Sequence, residues 1–181
     1  EAVVGPCLSA DGQQVVFQSQ AANAVANDIN NQIDVFAKDL LSGRITRISM
    51  RYDGTESQYP NVSPTISSDG RFVIFATTDG GIVQGDTNRR QDLFRRDRDS
   101  DANGVLDDSN DLSIQRISLG SGGVQPTLAC YGGRPCDDGH SIIFTTTAGN
   151  MVDGDTNGFP DVFFSVPIPP SNCPSDFDQS G

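Results

Sequence analysis

A pattern that occurs three times along the chain constrains the fold more than any other feature of the sequence. Each copy has an Asp-Gly turn, followed by a short apolar run that ends in phenylalanine. The copies lie at residues 9–17, 68–75 and 137–144. Because Asp-Gly between apolar runs is a strong hairpin signal, each copy predicts a turn that leads into a β-strand.

A second block follows the first at a constant distance. It has the form Asp-x-Asn-x-x-x-Asp, leads into an apolar residue and phenylalanine, and spans residues 28–36, 86–94 and 155–163. The phenylalanines of the two blocks are 19 residues apart in every copy: Phe17 and Phe36, Phe75 and Phe94, Phe144 and Phe163. We expect these six rings to form the core between sheets. Four aliphatic residues should lie beside them, namely Val16, Val73, Ile143 and Val162.

A further strand of the form Ile-x-Arg-Ile-Ser closes the first two copies, at residues 45–49 and 114–118. With the strand before the Asp-Gly turn, a complete copy supplies about four short strands. The copies are 58 and then 69 residues apart, and the excess of 11 residues lies between the third and fourth strands of the second copy. The predicted units are repeat 1 (1–60), repeat 2 (61–120) with an inserted loop (98–111), repeat 3 (121–168) and a C-terminal tail (169–181).

The composition agrees with a chain of many short strands. Only 35% of the residues are hydrophobic, and the 19 glycines and 10 prolines often separate short apolar runs. No long apolar stripe of helical period occurs, so the sequence predicts an all-β fold with almost no helix.

The second copy also carries a family resemblance. It reads Ser-Pro-Thr-Ile-Ser-Ser-Asp-Gly-Arg-Phe-Val-Ile-Phe at 63–75 and Gly-Asp-Thr-Asn…Asp-Leu-Phe-Arg-Arg-Asp at 85–97. Over roughly residues 5–166, the chain resembles the TolB-type, WD40-like (PD40) propeller repeats of bacterial secreted and surface proteins. The resemblance implies three tandem four-stranded propeller-type blades with a non-catalytic role. Because closed propellers generally need at least four blades, we expect an incomplete propeller or one completed by oligomerisation.

The charge of the chain limits its partners. A net charge of -12 would repel a phosphate backbone, which argues against nucleic-acid binding. No apolar run is long enough for a transmembrane helix, so we expect no membrane insertion. Two interpretations of this acid excess are open: it keeps the protein soluble, or bound cations neutralise it.

The inserted loop has the spacing of a calcium-binding loop. Oxygen ligands at alternate positions 1, 3 and 5 with glycine at position 6 let a loop wrap a hard cation. The bidentate acid of position 12 is replaced here by Asn110. Clusters of Asp, Asn and Gly also form ordinary turns, which is the alternative. The predicted calcium ligands are Asp99, Asp101, Asn103, the Val105 carbonyl, Asp107, Asp108 and Asp111.

The Asp-x-Asn-x-x-x-Asp block offers three oxygen side chains in each repeat. They could hold Ca²⁺, or the first Asp and the Asn could cap a turn while the last Asp begins the next strand. Both hypotheses remain open from the sequence. The residues concerned are Asp28, Asn30 and Asp34, Asp86, Asn88 and Asp92, and Asp155, Asn157 and Asp161.

Four cysteines without a CxxC pair favour disulfides over a metal–thiolate site, and so an oxidising compartment. A five-residue gap containing two glycines predicts a bond between Cys130 and Cys136. Cys7 and Cys173 would then remain to join the first and last repeats, although other pairings stay open. We therefore expect a secreted or cell-surface protein. Because Glu1 is not an initiator, we expect a mature or trimmed chain.

The C-terminal residues 176–181 read Asp-x-Asp-x-Ser-Gly, which resembles the start of a dockerin-like calcium repeat. A disordered acidic tail is the alternative. His140 is the only histidine, and the chain has no Gly-x-Ser-x-Gly nucleophile elbow, so we expect no enzymatic activity.

These observations predict a calcium-stabilised extracellular binding or structural module. A polymerising subunit of a fibre or surface layer and an accessory domain of a secreted hydrolase are the alternatives. We expect its partners to be further copies of itself or further repeats of a longer chain, and its ligand to be a glycan or a protein.

Overall fold

The computed structural model describes residues 4–109, 113–137 and 139–165. Within these ranges the only helix is a single 3-10 turn at Ser121–Gly123. No helix that is described here is long and apolar enough to cross a membrane. The strands are β1 (Val4–Leu8), β2 (Gln14–Ser19), β3 (Asp34–Asp39), β4 (Ile45–Arg47), β5 (Asn61–Ile66), β6 (Phe72–Thr77), β7 (Asp92–Asp97), β8 (Ile114–Arg116), β9 (Cys130–Pro135), β10 (Ile142–Thr146) and β11 (Asp161–Ser165).

The strands form three separate antiparallel sheets, each of which follows chain order. Sheet 1 has the order β1-β2-β3-β4, sheet 2 has β5-β6-β7-β8, and sheet 3 has β9-β10-β11. Sheet 3 thus contains three strands in the part of the chain that the structure describes. The all-β fold class, with three tandem blades that do not close into a ring, is confirmed.

The Asp-Gly turns at 11–12 and 69–70 connect the first two strands of sheets 1 and 2, as predicted. In the first turn, the Asp11 carboxylate accepts hydrogen bonds from the Ser9 hydroxyl at 2.6 Å and the Gln13 amide at 2.9 Å. Gly12 has a φ of 69°, a left-handed conformation that favours glycine. The second turn repeats this arrangement around Asp69. The turn chemistry therefore comes from the local sequence.

Each sheet has two distinct faces, because alternate residues of a strand point to opposite sides. We call one the phenylalanine face; its ring pairs have centroids 5.7, 5.9 and 5.6 Å apart in sheets 1, 2 and 3. We call the other the aliphatic face. It carries Val16 and Val35 in sheet 1, Ile74 and Leu93 in sheet 2, and Ile143 and Val162 in sheet 3.

The sheets stack in one direction, with the aliphatic face of each sheet against the phenylalanine face of the next. Val16 and Val35 of sheet 1 share a buried cluster with Phe75 and Phe94 of sheet 2. The aliphatic face of sheet 2 packs in the same way on sheet 3, where Phe144 is buried. Burial of each such side chain contributes about 1.5–3 kcal/mol, so these two interfaces form the core.

Two of the predicted core residues lie at the surface instead. Ile143 is 42% exposed and Val162 is 73% exposed. Both belong to the aliphatic face of sheet 3, and among the described residues no further sheet covers that face. Phe17 and Phe163 are only partly buried. The prediction was wrong for Ile143 and Val162, because strand alternation turns them away from sheet 2.

Candidate cation sites and the polar clusters of the repeats

The inserted loop is attached to both of the first two sheets through Arg98, whose side chain is 3% exposed. Its guanidinium donates to the Gly70 carbonyl at 2.7 Å, to the Gln14 side-chain oxygen at 3.1 Å, and to both carboxylate oxygens of Asp107. Arg44, beside β4, donates to the backbone carbonyl of Asp107. The loop therefore bridges sheets 1 and 2.

Several predicted calcium ligands lie close together in this loop. The Asp99 carboxylate accepts the backbone amides of Asn103 at 2.8 Å and Gly104 at 3.2 Å. The side-chain amide of Asn103 donates to Asp101 at 3.0 Å and to Asp108 at 2.9 Å. Three carboxylates therefore lie around Asn103, that of Asp99 at its backbone amide and those of Asp101 and Asp108 at its side-chain amide.

The remaining predicted ligands of the loop have other roles or positions. Asp107 pairs with Arg98 at 2.6 Å, and the Val105 amide donates to the Asn103 side-chain oxygen at 2.7 Å. Asp111 lies outside the described residues. Across the ranges that the structure covers, no group of three or more His, Cys, Asp or Glu side chains is arranged to hold a metal ion. Calcium in this loop stays a prediction.

The Asp-x-Asn-x-x-x-Asp block of repeat 1 ends in Asp34, whose carboxyl group is fully buried. It accepts hydrogen bonds from the Ser49 hydroxyl at 2.7 Å, the Asn30 side-chain amide at 2.8 Å and the Asn61 side-chain amide at 3.2 Å. Burial raises the pKa of Asp34, and the hydrogen bonds from Ser49 and Asn30 oppose that rise. The block thus buries a carboxyl group inside the protein.

An arginine lies beside this buried carboxylate. The Arg47 guanidinium is 3.6 Å from Asp28 and 3.9 Å from Asp34, and it also pairs with Glu56. Its side chain is 6% exposed. Arg47 therefore supplies positive charge at the place where the calcium hypothesis puts the ion.

Repeat 2 builds the same cluster with equivalent residues. The Ser118 hydroxyl donates to the fully buried Asp92 at 2.6 Å, and Arg116 is 3.0 Å from Asp86 and 3.8 Å from Asp92. Burial raises the pKa of both Asp86 and Asp92. The arginine and serine of the Ile-x-Arg-Ile-Ser strand are thus partners of the Asp block. The sequence did not lead us to this pairing. It could have been found, because the Asp-x-Asn-x-x-x-Asp block and the Ile-x-Arg-Ile-Ser strand occur together in repeats 1 and 2.

The asparagine of each block caps a turn. Its side-chain oxygen accepts the amide hydrogen of the residue two positions later, at 2.8, 2.9 and 2.7 Å for Asn30, Asn88 and Asn157. The last aspartate of each block begins β3, β7 or β11. These contacts are the ones that the turn-capping alternative requires.

Repeat 3 differs because the sequence contains no third Arg-Ile-Ser. Its Asp155 carboxylate accepts the Asn157 amide at 3.4 Å, and Asp161 is partly buried at the start of β11. Calcium at the blocks of the three repeats also stays a prediction.

The predicted disulfide between Cys130 and Cys136 is absent, and both are free cysteines. Cys130 begins β9 and Cys136 follows its last residue, so an extended strand holds them more than about 15 Å apart. A disulfide needs Cα atoms within about 7 Å. The prediction was wrong because the two glycines lie within a strand rather than a closed turn. Cys7 packs against the buried cluster between sheets 1 and 2, and Cys173 lies outside the described residues.

Two similar grooves run beside the outer strands β4 and β8. Their volumes are about 760 and 750 Å³. Equivalent apolar residues line them, namely Val25, Ile45 and Met50 in the first and Val83, Ile114 and Leu119 in the second. The repeat thus produces two similar candidate binding surfaces, neither of which the sequence indicated. His140 lines neither groove; the centroid of its ring lies 4.9 Å from the centroid of the Phe72 ring.

Comparison with solved structures agrees with this architecture. The chain is similar to TolB from Acinetobacter baumannii at 17% identity and a TM-score of 0.50, over 90% of this chain and 29% of that one. It is similar to a putative TolB from Agrobacterium tumefaciens at 17% identity and a TM-score of 0.50, over 92% of this chain and 50% of that one. The chain thus spans no more than half of either structure. No protein-family model and no curated protein matches the sequence. The fold is that of TolB-type propeller blades.

Proposed function

We propose that the chain is a non-catalytic binding or structural module of β-propeller blades, which acts outside the cell and is stabilised by calcium at the inserted loop. The observation that carries the proposal is the convergence of Asp99, Asp101 and Asp108 on Asn103 in a loop that is tied to two sheets. An ion held there would strengthen the contact between sheets 1 and 2.

The buried ionisable groups support a structural role. Asp34 and Asp92 are fully buried, and each faces a serine and an arginine of the neighbouring strand rather than open solvent. Such groups hold the loops of the repeat to its sheet. Ligand binding then belongs to the surface, where the two grooves beside β4 and β8 offer equivalent apolar sites for a glycan or a protein segment.

Location outside the cell is supported by the acid excess. Calcium is abundant outside cells, and extracellular modules bind it with dissociation constants of about 10⁻⁴–10⁻³ M. With a net charge of -12, the folded chain repels itself until cations screen it.

Thermal unfolding with calcium and with EDTA tests the proposal. At a hundredfold excess over the dissociation constant, a single site adds about 2.7 kcal/mol. For a chain of this size that raises Tm by about 5–10 °C. Asp101→Asn should remove most of the rise, because it neutralises a carboxylate of the loop without changing its size.

The control is Asp153→Asn, which neutralises an exposed aspartate away from the loop and should keep the calcium effect. Equal midpoints with calcium and EDTA in the unmodified chain would contradict the calcium site. An equal loss in both variants would assign the effect to net charge alone.

A further inference from the structure

The aliphatic face of sheet 3 exposes a continuous apolar surface. Tyr131, Ile143, Val162 and Phe164 are 55%, 42%, 73% and 61% exposed. Strand register brings them together, because Ile143 is paired with Phe164, while Val162 and Tyr131 lie on either side of Thr145. Isolated exposed apolar residues are ordinary, but neighbouring ones on one sheet face indicate a contact surface.

The other two sheets show what covers the same face. In sheet 2 the equivalent positions are Val62, Ile74 and Leu93, and they pack against the phenylalanine face of sheet 3. In sheet 1 the equivalents Val16 and Val35 are fully buried against the phenylalanine face of sheet 2. This face is therefore covered twice within the chain, each time by a phenylalanine face.

The matching surface is at the opposite end of the stack. On the phenylalanine face of sheet 1, Leu8 is 57% exposed, and Val15 and Phe17 are only partly buried. Their equivalents in sheet 2, Val73 and Phe75, are fully buried. The chain thus carries the exposed aliphatic half of this interface at one end and, at Leu8, Val15 and Phe17, an incompletely covered phenylalanine half at the other, where Phe36 is already fully buried.

We propose that the aliphatic face of sheet 3 binds the phenylalanine face of sheet 1 in a second copy of the chain. The contact is head-to-tail and continues the two internal interfaces with the same pairing of faces. Two copies that met through their aliphatic faces would lack the phenylalanine pairs that fill both internal interfaces. The proposal rests on the stacking of the sheets and is independent of calcium.

Such a contact leaves one free face at each end of the dimer. Further copies can add until the rotation closes a ring, or they continue as a filament. This is the physical basis for the alternative role of a polymerising subunit.

Sedimentation velocity of the 1–181 chain across the micromolar range tests the proposal, and the weight-average mass should rise with concentration. Val162→Lys disables the sheet 3 face, and Leu8→Lys disables the sheet 1 face. Each variant alone should weaken self-association at least about tenfold, because a lysine charge would be buried at the contact. Leu41→Lys is the control, since Leu41 is 79% exposed in a turn and should leave association unchanged.

Mixing the two disabled variants gives the sharpest result. The intact sheet 3 face of Leu8→Lys should bind the intact sheet 1 face of Val162→Lys, so an equimolar mixture forms a heterodimer that cannot grow. A monomeric wild-type chain throughout the range overturns the proposal. If Leu8→Lys associates with itself as strongly as the wild type does, the head-to-tail arrangement is wrong. It is also wrong if the equimolar mixture stays monomeric. Thermal melts verify that each variant folds; Phe164→Lys replaces Val162→Lys if that variant does not.

Discussion

Arg51 donates two parallel hydrogen bonds to Asp79, from Nε to Oδ2 and from Nη2 to Oδ1, each 2.9 Å long. The same carboxylate accepts the Ser57 hydroxyl at 2.8 Å and the backbone amides of Gln58 at 3.0 Å and Gly81 at 2.9 Å. Burial acts to raise the pKa of Asp79, but these hydrogen bonds hold the pKa below its ordinary value. One buried carboxylate therefore ties the loop after β4 to the loop after β6.

Replacement of this carboxylate should be costly. We expect Asp79→Asn to lower the free energy of unfolding by about 3 kcal/mol at neutral pH, because Arg51 loses its partner. The matched control is Asp53→Asn. Asp53 lies in an exposed turn where its described hydrogen bonds go to Thr55, and its loss should cost no more than about 1 kcal/mol. Urea unfolding of the three proteins measures both differences.

The same pair predicts a pH dependence. Because the folded state lowers the pKa of Asp79, its contribution is complete above the ordinary value of 3.8 and is lost as the pH falls through the folded value. The gap in stability between wild type and Asp79→Asn should therefore narrow in acid. A gap that stays constant from pH 7 down to the acid limit of folding would contradict this role.

The interface between sheets 2 and 3 depends on a close approach at Gly133. A Cβ atom at this position would lie 2.8 Å from Cγ2 of Ile74 and 3.2 Å from Cδ1 of Leu93. We expect Gly133→Ala to cost about 1–3 kcal/mol through overpacking. In an Ile74→Ala background the same change should cost less, because the clashing methyl group is gone. Equal costs in the two backgrounds, measured by urea unfolding, would show that the contact is not the cause.

Cys130 and Asn61 occupy equivalent positions in successive repeats. Asn61 donates to the buried Asp34 at 3.2 Å, whereas Cys130 has only a weakly donating thiol to offer near Asp92. We expect Cys130→Asn to stabilise the ionised Asp92 and to raise the free energy of unfolding by about 1 kcal/mol once the pH exceeds the folded pKa of Asp92. Cys130→Val, which has no donor, is the control.

The size of this stabilisation should depend on pH. Burial raises the pKa of Asp92, so its ionisation weakens the fold as the pH rises through the folded value. The gain from Cys130→Asn should appear above that pH and vanish below it. A gain of equal size in acid would point to packing rather than to a hydrogen bond.

Thiol labelling should separate the two cysteines that were predicted to be bonded. Cys136 is exposed, whereas Cys130 is fully buried and burial raises its pKa to about 11. We expect a thiol reagent at neutral pH to label Cys136 in the native protein and Cys130 only after unfolding, as peptide mass mapping would show. A linked pair of these cysteines in unreduced peptides would contradict the extended strand between them.

Several features could be predicted from the sequence because they depend on neighbouring residues. The Asp-Gly turns and the strands that follow them need only a glycine at positive φ and an apolar run. The constant distance between Phe75 and Phe94 predicted two strands of one sheet, and the two rings do pack together, with centroids 5.9 Å apart and their planes tilted by 34°. The all-β fold class followed from this repetition, and the resemblance of its motifs to TolB-type repeats implied propeller blades.

Other features could not be predicted, because they depend on contacts between distant residues. The spacing of Asp28, Asn30 and Asp34 suggested an ion, but tertiary structure puts Arg47 beside these carboxylates. Likewise, Arg98 pairs with Asp107, and it is itself held by Gln14, which is 84 residues away along the chain. The spacing of acidic residues along the chain indicates possible ligands. It does not indicate whether the folded protein places a metal ion or an arginine side chain beside them.

By itself the sequence determined the number of repeats, the strands within them and the chemistry of their turns, because each is set by residues a few positions apart. Tertiary structure alone decided which side of each strand is buried. Ile74 and Ile143 hold the same place in the repeat, yet the first is fully buried and the second is 42% exposed. The difference arises because a sheet covers Ile74, whereas none among the described residues covers Ile143. Burial depends on the neighbouring sheet, and a repeat pattern is the same with or without that neighbour.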